Sequence, residues 1–248
     1  MSEQHILVSR DGAVLEIRFN RPDKKNAITN AMYGAMADAV AEAQRDDSLR
    51  VVLFTASGDF FSAGNDIKDF AAQASGAFDG PRHVGRFLEE VIKAEKPIVA
   101  AVQGHAVGVG TTMLFQCDLV YVNRDARLTV PFIDLGVVPE NASSLTMVDR
   151  LGHTRAFALF GLGEPLLGKE AAAWGLANAA LPYGDVEPRA RDAAQMLAQK
   201  PPESMMQTKR LMRDREALMG RMREEGEIFA QRLKSPEAIA AFAKFLQR

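Results

Sequence analysis

Residues 60–68 read Phe60-Phe61-Ser62-Ala63-Gly64-Asn65-Asp66-Ile67-Lys68 (FFSAGNDIK), one residue after the apolar run 51–58 (VVLFTASG) and before a segment with helical character. A continuously apolar strand is what a sheet covered on both faces requires. This one ends in small residues, turns on a glycine and opens a helix with Asn-Asp. The first N–H groups of a helix have no intrahelical acceptor and carry positive partial charge, so an oxygen bearing negative charge is stabilised there. Residues 97–115 (PIVAAVQGHAVGVGTTMLF) repeat the design. Two such turns can grip one oxygen, and Gly64, Gly108 and Gly110 allow dihedrals that other residues resist. The pattern alone also fits two ordinary strand-to-helix turns.

Working outward, the chain opens on two apolar runs separated by Asp11-Gly12, a hairpin signal, and Pro22 closes the second. From Thr29, which can cap it, a helix carries Met32, Met36, Val40 and Ala43 at helical spacing. Strands at 50–57, 97–104 and 118–123 alternate with helical segments, which implies parallel pairing through right-handed crossovers. Beyond Pro139 almost every segment reads helical, the longest being 201–234, and the Met205, Met206, Met212, Met219 and Met222 set suits core or oligomer packing. The stretch 71–82 (AAQASGAFDGPR) is small and polar enough for a surface loop, with a gate beside a ligand as the alternative.

Composition narrows the function classes. The 248 residues are 47% hydrophobic, enough for one sizeable core, and 30 Lys+Arg against 32 Asp+Glu give a net charge of −2. No broad attraction to nucleic acid or to a membrane surface follows from that balance. The single Cys117 in an apolar context reads as a buried thiol in a reducing compartment. With no secretory signal and no long apolar span, the expected location is the cytoplasm. His5, His83, His105 and His153 lack metal-ligand spacing, no GxSxG surrounds a serine, and 163–170 (GEPLLGKE) places Glu170 where a phosphate loop needs a hydroxyl. Gly108-Val109-Gly110 lacks the third glycine of a dinucleotide fingerprint. No metal and no separate cofactor is expected.

FFSAGNDIKDF together with KPIVAAVQGHAVGVGTTMLFQCDLVYVNRDARLTVPF closely resembles the crotonase, or enoyl-CoA hydratase/isomerase, superfamily, and the resemblance runs from IRFNRPDKKNAI to the terminal SPEAIAAFAKFLQR. It implies an α/β spiral of repeated ββα units over residues 1–190. A helical region, 191–248, would cover the site and mediate trimerisation, as a homotrimer or a dimer of trimers. It implies an acyl-CoA thioester ligand, coenzyme A being part of the substrate. The family's oxyanion hole falls on the peptide N–H groups of Asn65 and Val109, beside Gly108. The adenosine and pantetheine path falls on Lys24, Lys25, Ala27, Ile28, Ala63, Asp66 and Ile67. Of the two lysines Lys25 is the better placed to meet a phosphate, with a solvated charge as the bland alternative.

An oxyanion hole stabilises an enolate, so a base is also needed beside the acyl carbons. Family hydratases use two glutamates, whose positions here match Thr112 and Phe132, and neither can act as a general base near neutral pH. Glu140, in 135–145 (LGVVPENASSL), instead resembles the catalytic glutamate of Δ3,Δ2-enoyl-CoA isomerases. Desolvation among apolar neighbours would make it a better base. The alternative is a plain helix N-terminal carboxylate. Asp134 is the next carboxylate, and Asn141 and Ser143 are candidates to orient the thioester or the base. Phe60, Phe61, Phe70, Phe78, Phe87 and Phe132 are candidates for an acyl pocket, or core. The resulting expectation is isomerisation of 3-enoyl-CoA to 2-enoyl-CoA with Glu140 as acid/base. Hydration with an unusual acid/base set is the alternative within enzymes, and thioester binding without turnover the alternative outside them.

Overall fold

The computed structural model describes residues 4–69 and 80–246, so positions 71–79 of the loop read at 71–82 lie outside the described residues, as does Phe70, and Phe78 is among them. The chain opens as the sequence suggests. Strands β1 (Ile6–Asp11) and β2 (Val14–Phe19) form an antiparallel hairpin that turns at Gly12, whose φ of 57° lies in the left-handed region. β2 then pairs in parallel with β3 (Val51–Ala56), β3 with β5 (Ile98–Val102), β5 with β7 (Leu119–Asn123), and β7 with β10 (Ala179–Leu181). The six-stranded sheet therefore runs β1-β2-β3-β5-β7-β10.

After each of three parallel strands the chain adds a short strand to a second sheet. β4 (Phe60–Ser62), β6 (His105–Val107) and β8 (Arg127–Thr129) pair in parallel, and β9 (Leu166–Leu167) closes that sheet antiparallel to β8. This is the repeated ββα spiral that the resemblance implies.

The long strands are apolar throughout because both faces are covered. Val52, Phe54, Ile98 and Ala100 pack with helices α1 (Asn30–Arg45) and α2 (His83–Lys93), while Val51, Leu53, Val99 and Ala101 face Val186, Ala190, Ala193 and Ala194 of helix Tyr183–Ala198. Residue 190, where the sequence suggests a division, lies inside that sheet-packed helix. The Thr29 hydroxyl caps α1 by accepting from the Met32 N–H at 3.3 Å, and Met32, Met36, Val40 and Ala43 are all buried.

Three local expectations are revised. The helical segment read between the strands at 97–104 and 118–123 is one α-helical turn, α3 (Val109–Thr112), followed by a 3-10 stretch, Met113–Gln116. The long helical segment 201–234 is two helices, Pro202–Leu211 and Arg215–Arg232, because Asp214 leaves helical geometry and its carboxylate caps the second through the Ala217 N–H at 2.9 Å. The helical second half also contains β9 and β10, short strands with too few residues to show a period.

Candidate active site

The two glycine turns meet in space. Gly64 has φ of 82°, and a Cβ there would lie 2.7 Å from the Val107 carbonyl oxygen; one on Gly110 would lie 2.9 Å from the Ser62 Cβ. Small residues are thus demanded by backbone-to-backbone contact. The Ser62 hydroxyl, fully buried, donates to the Asn26 carbonyl at 2.9 Å and accepts from the Gly64 N–H at 3.1 Å, which ties the first turn to the RPDKKNAI segment. Asn26, left-handed at φ 54°, completes the tie by donating to the Ser57 and Phe60 carbonyls.

Asn65 follows Gly64 and Val109 follows Gly108 (φ 56°). Ile28 and Asn65 form a parallel bridge in which the Ile28 N–H donates to Gly64 O and the Asp66 N–H to Ile28 O, turning the Asn65 N–H to the other side. Among the described residues neither the Asn65 nor the Val109 N–H donates a backbone hydrogen bond. The Asn65 side chain is fixed as well, because the Tyr33 hydroxyl donates to its Oδ1 at 2.6 Å.

A cavity of about 340 Å³ opens beside this junction, and Ile28, Tyr33, Asn65, Asp66, Glu140 and Asn141 form one wall. Val84 and Leu88 of α2, with Met222, Phe229 and Leu233 at the chain's end, supply the apolar remainder. Glu140 is half-buried as a residue, but its Oε2 is buried without a partner among the described residues, while Oε1 accepts from the Thr112 hydroxyl at 2.5 Å. Burial pushes the Glu140 carboxyl up to about 8 against a downward pull from Thr112, and the nearby Glu225 adds to the rise. The Tyr33 phenol is raised far above its ordinary value, first by burial and then by the Glu140 charge. Asp66, although burial works against it, is held below its usual value by Arg21, whose guanidinium lies 2.6 Å away.

The other described residues named from the sequence are placed as follows. Lys24 and Lys25 are exposed at the end of the 3-10 turn Pro22–Lys24, with Lys25 Nζ 5.1 Å from the Phe60 ring centre. The Ala27 carbonyl accepts from Arg21, the Ala63 N–H donates to Lys25 O, and Ile67 begins the helical residues 67–69. Phe132 is apart from this group: it is buried in the core against Phe160, as Phe61 and Phe87 are buried against Phe19 and Phe54. Asp134 sits in the short turn Ile133–Leu135, away from the residues lining the cavity. Asn141 and Ser143 are fully buried, with Asn141 on the cavity wall.

A family model described as enoyl-CoA hydratase/isomerase matches residues 9–243. The chain belongs to that family. Within the enoyl-CoA hydratase/isomerase family it is 36% identical over 250 residues to rat (Rattus norvegicus) enoyl-CoA delta isomerase 2, an alignment covering 98% of this chain and 63% of the relative. Identity to the human (Homo sapiens) protein of the same name is 33%, over 99% of this chain and 64% of that one. The chain thus spans a little under two-thirds of the length of these two relatives. Among solved structures, that of Pseudomonas aeruginosa OdaA superimposes with a TM-score of 0.94 at 47% identity, covering 99% of this chain and all of the other.

Reading the sequence missed Tyr33 and Arg21, and it expected the 191–248 region to cover the site without naming Met222 or Phe229 as lining it. Tyr33 sits on the buried stripe of α1, where a phenol signals a partnered hydroxyl. Arg21 begins the RPDKKNAI turn, where the acid near it in sequence is Asp23, and nothing local announces its pairing with Asp66, 45 positions on.

Proposed function

We propose that the chain isomerises 3-enoyl-CoA to 2-enoyl-CoA. The observation that carries this reading is the Glu140 carboxylate, which lines one cavity with Asn65 and has one oxygen buried and unpartnered among the described residues, while Thr112 stands where a hydratase would place a second acid and hydrogen-bonds Glu140. The delta isomerase relatives agree with it.

The thioester carbonyl would accept from the Asn65 and Val109 N–H groups, which stabilise negative charge on that oxygen. Glu140 would take a proton from C2, and the electron pair would spread onto the thioester oxygen as an enolate conjugated with the C3–C4 double bond. Return of the proton from Glu140 to C4 moves the double bond to C2–C3, and the carboxylate is regenerated. One base suffices, and no water adds. The exposed Lys24 and Lys25 would face the coenzyme phosphates. The chain would assemble as a homotrimer or a dimer of trimers, which would cover apolar side chains such as Leu211 and Met212, 89% and 82% exposed here.

Purified protein incubated with 3-enoyl-CoA should generate the conjugated 2-enoyl thioester, detected by its absorbance, and Glu140→Gln should abolish it; undiminished turnover in that variant rejects Glu140 as the base. Hydration is the second reading, favoured by 27% identity over 252 residues to Escherichia coli (strain K12) 2,3-dehydroadipyl-CoA hydratase. Accumulation of 3-hydroxyacyl-CoA would decide for it, and thioester binding with no product across an acyl panel would mean a binding protein.

A further inference from the structure

The turn that carries Glu140 is held in an unusual conformation. Asn141 and Ala142 adopt left-handed φ values of 65° and 55°, and Ala142 is the N-cap of helix α4 (Ser143–Leu151), with no side-chain oxygen to satisfy the helix's first N–H groups. Consecutive left-handed residues, one of them an alanine, persist only where their surroundings over-determine them.

The restraint comes from 83 residues further along the chain. Glu225, on helix Arg215–Arg232 and 5% exposed, accepts the Ala142 N–H on Oε2 at 2.6 Å and the Ser144 N–H on Oε1 at 2.8 Å. Both carboxylate oxygens are therefore spent on the α4 N-terminus, two residues past Glu140. The Gln116 amide adds a bond to the Asn141 carbonyl at 2.6 Å. The same helix that carries Glu225 supplies Met222 and Phe229 to the cavity.

We propose that Glu225 is the positioning residue for the candidate base: it fixes the left-handed turn that presents Glu140 to the cavity and sets one negative charge behind it. This rests on the reading of Glu140 as the base. Glu225 itself touches neither the cavity wall nor any reacting atom.

The electrostatic surroundings leave room for that charge to act. Burial raises the Glu225 carboxyl above its ordinary value, opposed by its hydrogen bonds from Ser144 and Ala142 and by Arg221, which lies on the same helix, bonds the Ser144 hydroxyl at 3.3 Å and pairs with Glu224 at 3.1 Å. Thr112 and Tyr33 are the neighbours of Glu140 from α3 and α1. Around the cavity, Asp66 is paired with Arg21, Asp69 accepts from the Asn30 N–H, and Arg82 and Arg223 line the wall. On the side facing α2, Glu89 and Lys93 pair with each other, beside Arg215, Glu216 and Arg223 in a separate depression. Burial remains the chief cause of the raised Glu140 carboxyl, with Glu225 contributing in the same direction.

The test uses the full chain and the pH dependence of kcat/KM for 3-enoyl-CoA. Glu225→Gln keeps the side chain's size and one acceptor but removes the charge. The acid limb should move to lower pH by about half to one unit, and kcat should fall roughly 3- to 10-fold as the turn loosens. Glu225→Asp keeps the charge with a shorter reach, so its kcat should fall while the limb stays closer to the native position than in Glu225→Gln. A lower melting temperature with an unmoved acid limb in Glu225→Gln would mean a purely structural cap and would overturn the proposal. Should that variant fail to fold, Glu225→Asp carries the test by 13C NMR titration of Glu140: drawing the carboxylate back from the turn should lower the Glu140 midpoint relative to the native chain. A native midpoint in folded Glu225→Asp sinks this proposal alone, whereas full turnover in Glu140→Gln sinks the assignment of the base and is read separately.

Discussion

Replacing Glu140 by glutamine keeps the shape and the acceptor for Thr112 and deletes one ionisation, so its effect on stability should depend on pH. In the folded chain the carboxyl is pushed from an ordinary 4.5 up to about 8 by burial, partly offset by the Thr112 hydroxyl and reinforced by Glu225. Below about pH 4 the group is protonated in both the folded and unfolded chains and costs nothing. Between 4.5 and about 8 the unfolded chain releases the proton while the folded chain retains it, so native stability is lost as pH rises through that window. Above it the loss is complete. At about 1.4 kcal/mol for each pH unit, the full penalty is at most roughly 5 kcal/mol, and water penetration brings the expected value to about 2–4 kcal/mol. Urea unfolding of native chain and Glu140→Gln at pH 4.5 and pH 8.5 measures it. The variant should gain little at pH 4.5 and be more stable by about 2–4 kcal/mol at pH 8.5. A stability difference that is the same at both pH values would show that Glu140 is not desolvated in the native state, and the argument for a raised, base-competent carboxyl would fail.

Thr112→Val removes the donor that lowers the Glu140 carboxyl, so the acid limb of kcat/KM should shift upward and activity at pH 7 should drop; a downward shift contradicts the assigned hydrogen bond. Gly64→Ala forces a Cβ to 2.7 Å from the Val107 oxygen at φ 82°, which should cost about 2–4 kcal/mol in urea melts and, by moving the Asn65 amide, about 100-fold in kcat. Wild-type turnover in that variant would argue against a role for the paired turns. Tyr33→Phe frees the Asn65 Oδ1, and loss of about 1 kcal/mol of positioning should lower kcat roughly 5-fold with KM little changed; an effect confined to KM would assign Tyr33 to binding instead.

The outline of the site was legible because its requirements are local. Gly64 and Gly108 announce turns whose backbone must enter the left-handed region, and the small residues Ser62, Ala63 and Gly110 announce close approach. Both features depend on a few adjacent residues. Glu140 stood out because two expected carboxylates were missing from Thr112 and Phe132, a contrast that needs no coordinates. The partners of these residues were not legible. Thr112 meets Glu140 across 28 positions, Tyr33 meets Asn65 across 32, and Glu225 meets Ala142 across 83. Phe132 shows the same limit from the other side, since an aromatic near the motif reads equally well as pocket or core until its neighbour Phe160 is known.

From the sequence by itself came the apolar parallel strands, the hairpin at Asp11-Gly12, the capped helix after Thr29 and the two glycine turns, since periodicity, capping and dihedral freedom act over one or two turns of chain. Only the tertiary structure decided which groups share the cavity, how the Glu140 turn is restrained and how far its carboxyl is shifted. Burial and charge depend on distances between segments that the chain brings together after long excursions, and no local spacing records those distances.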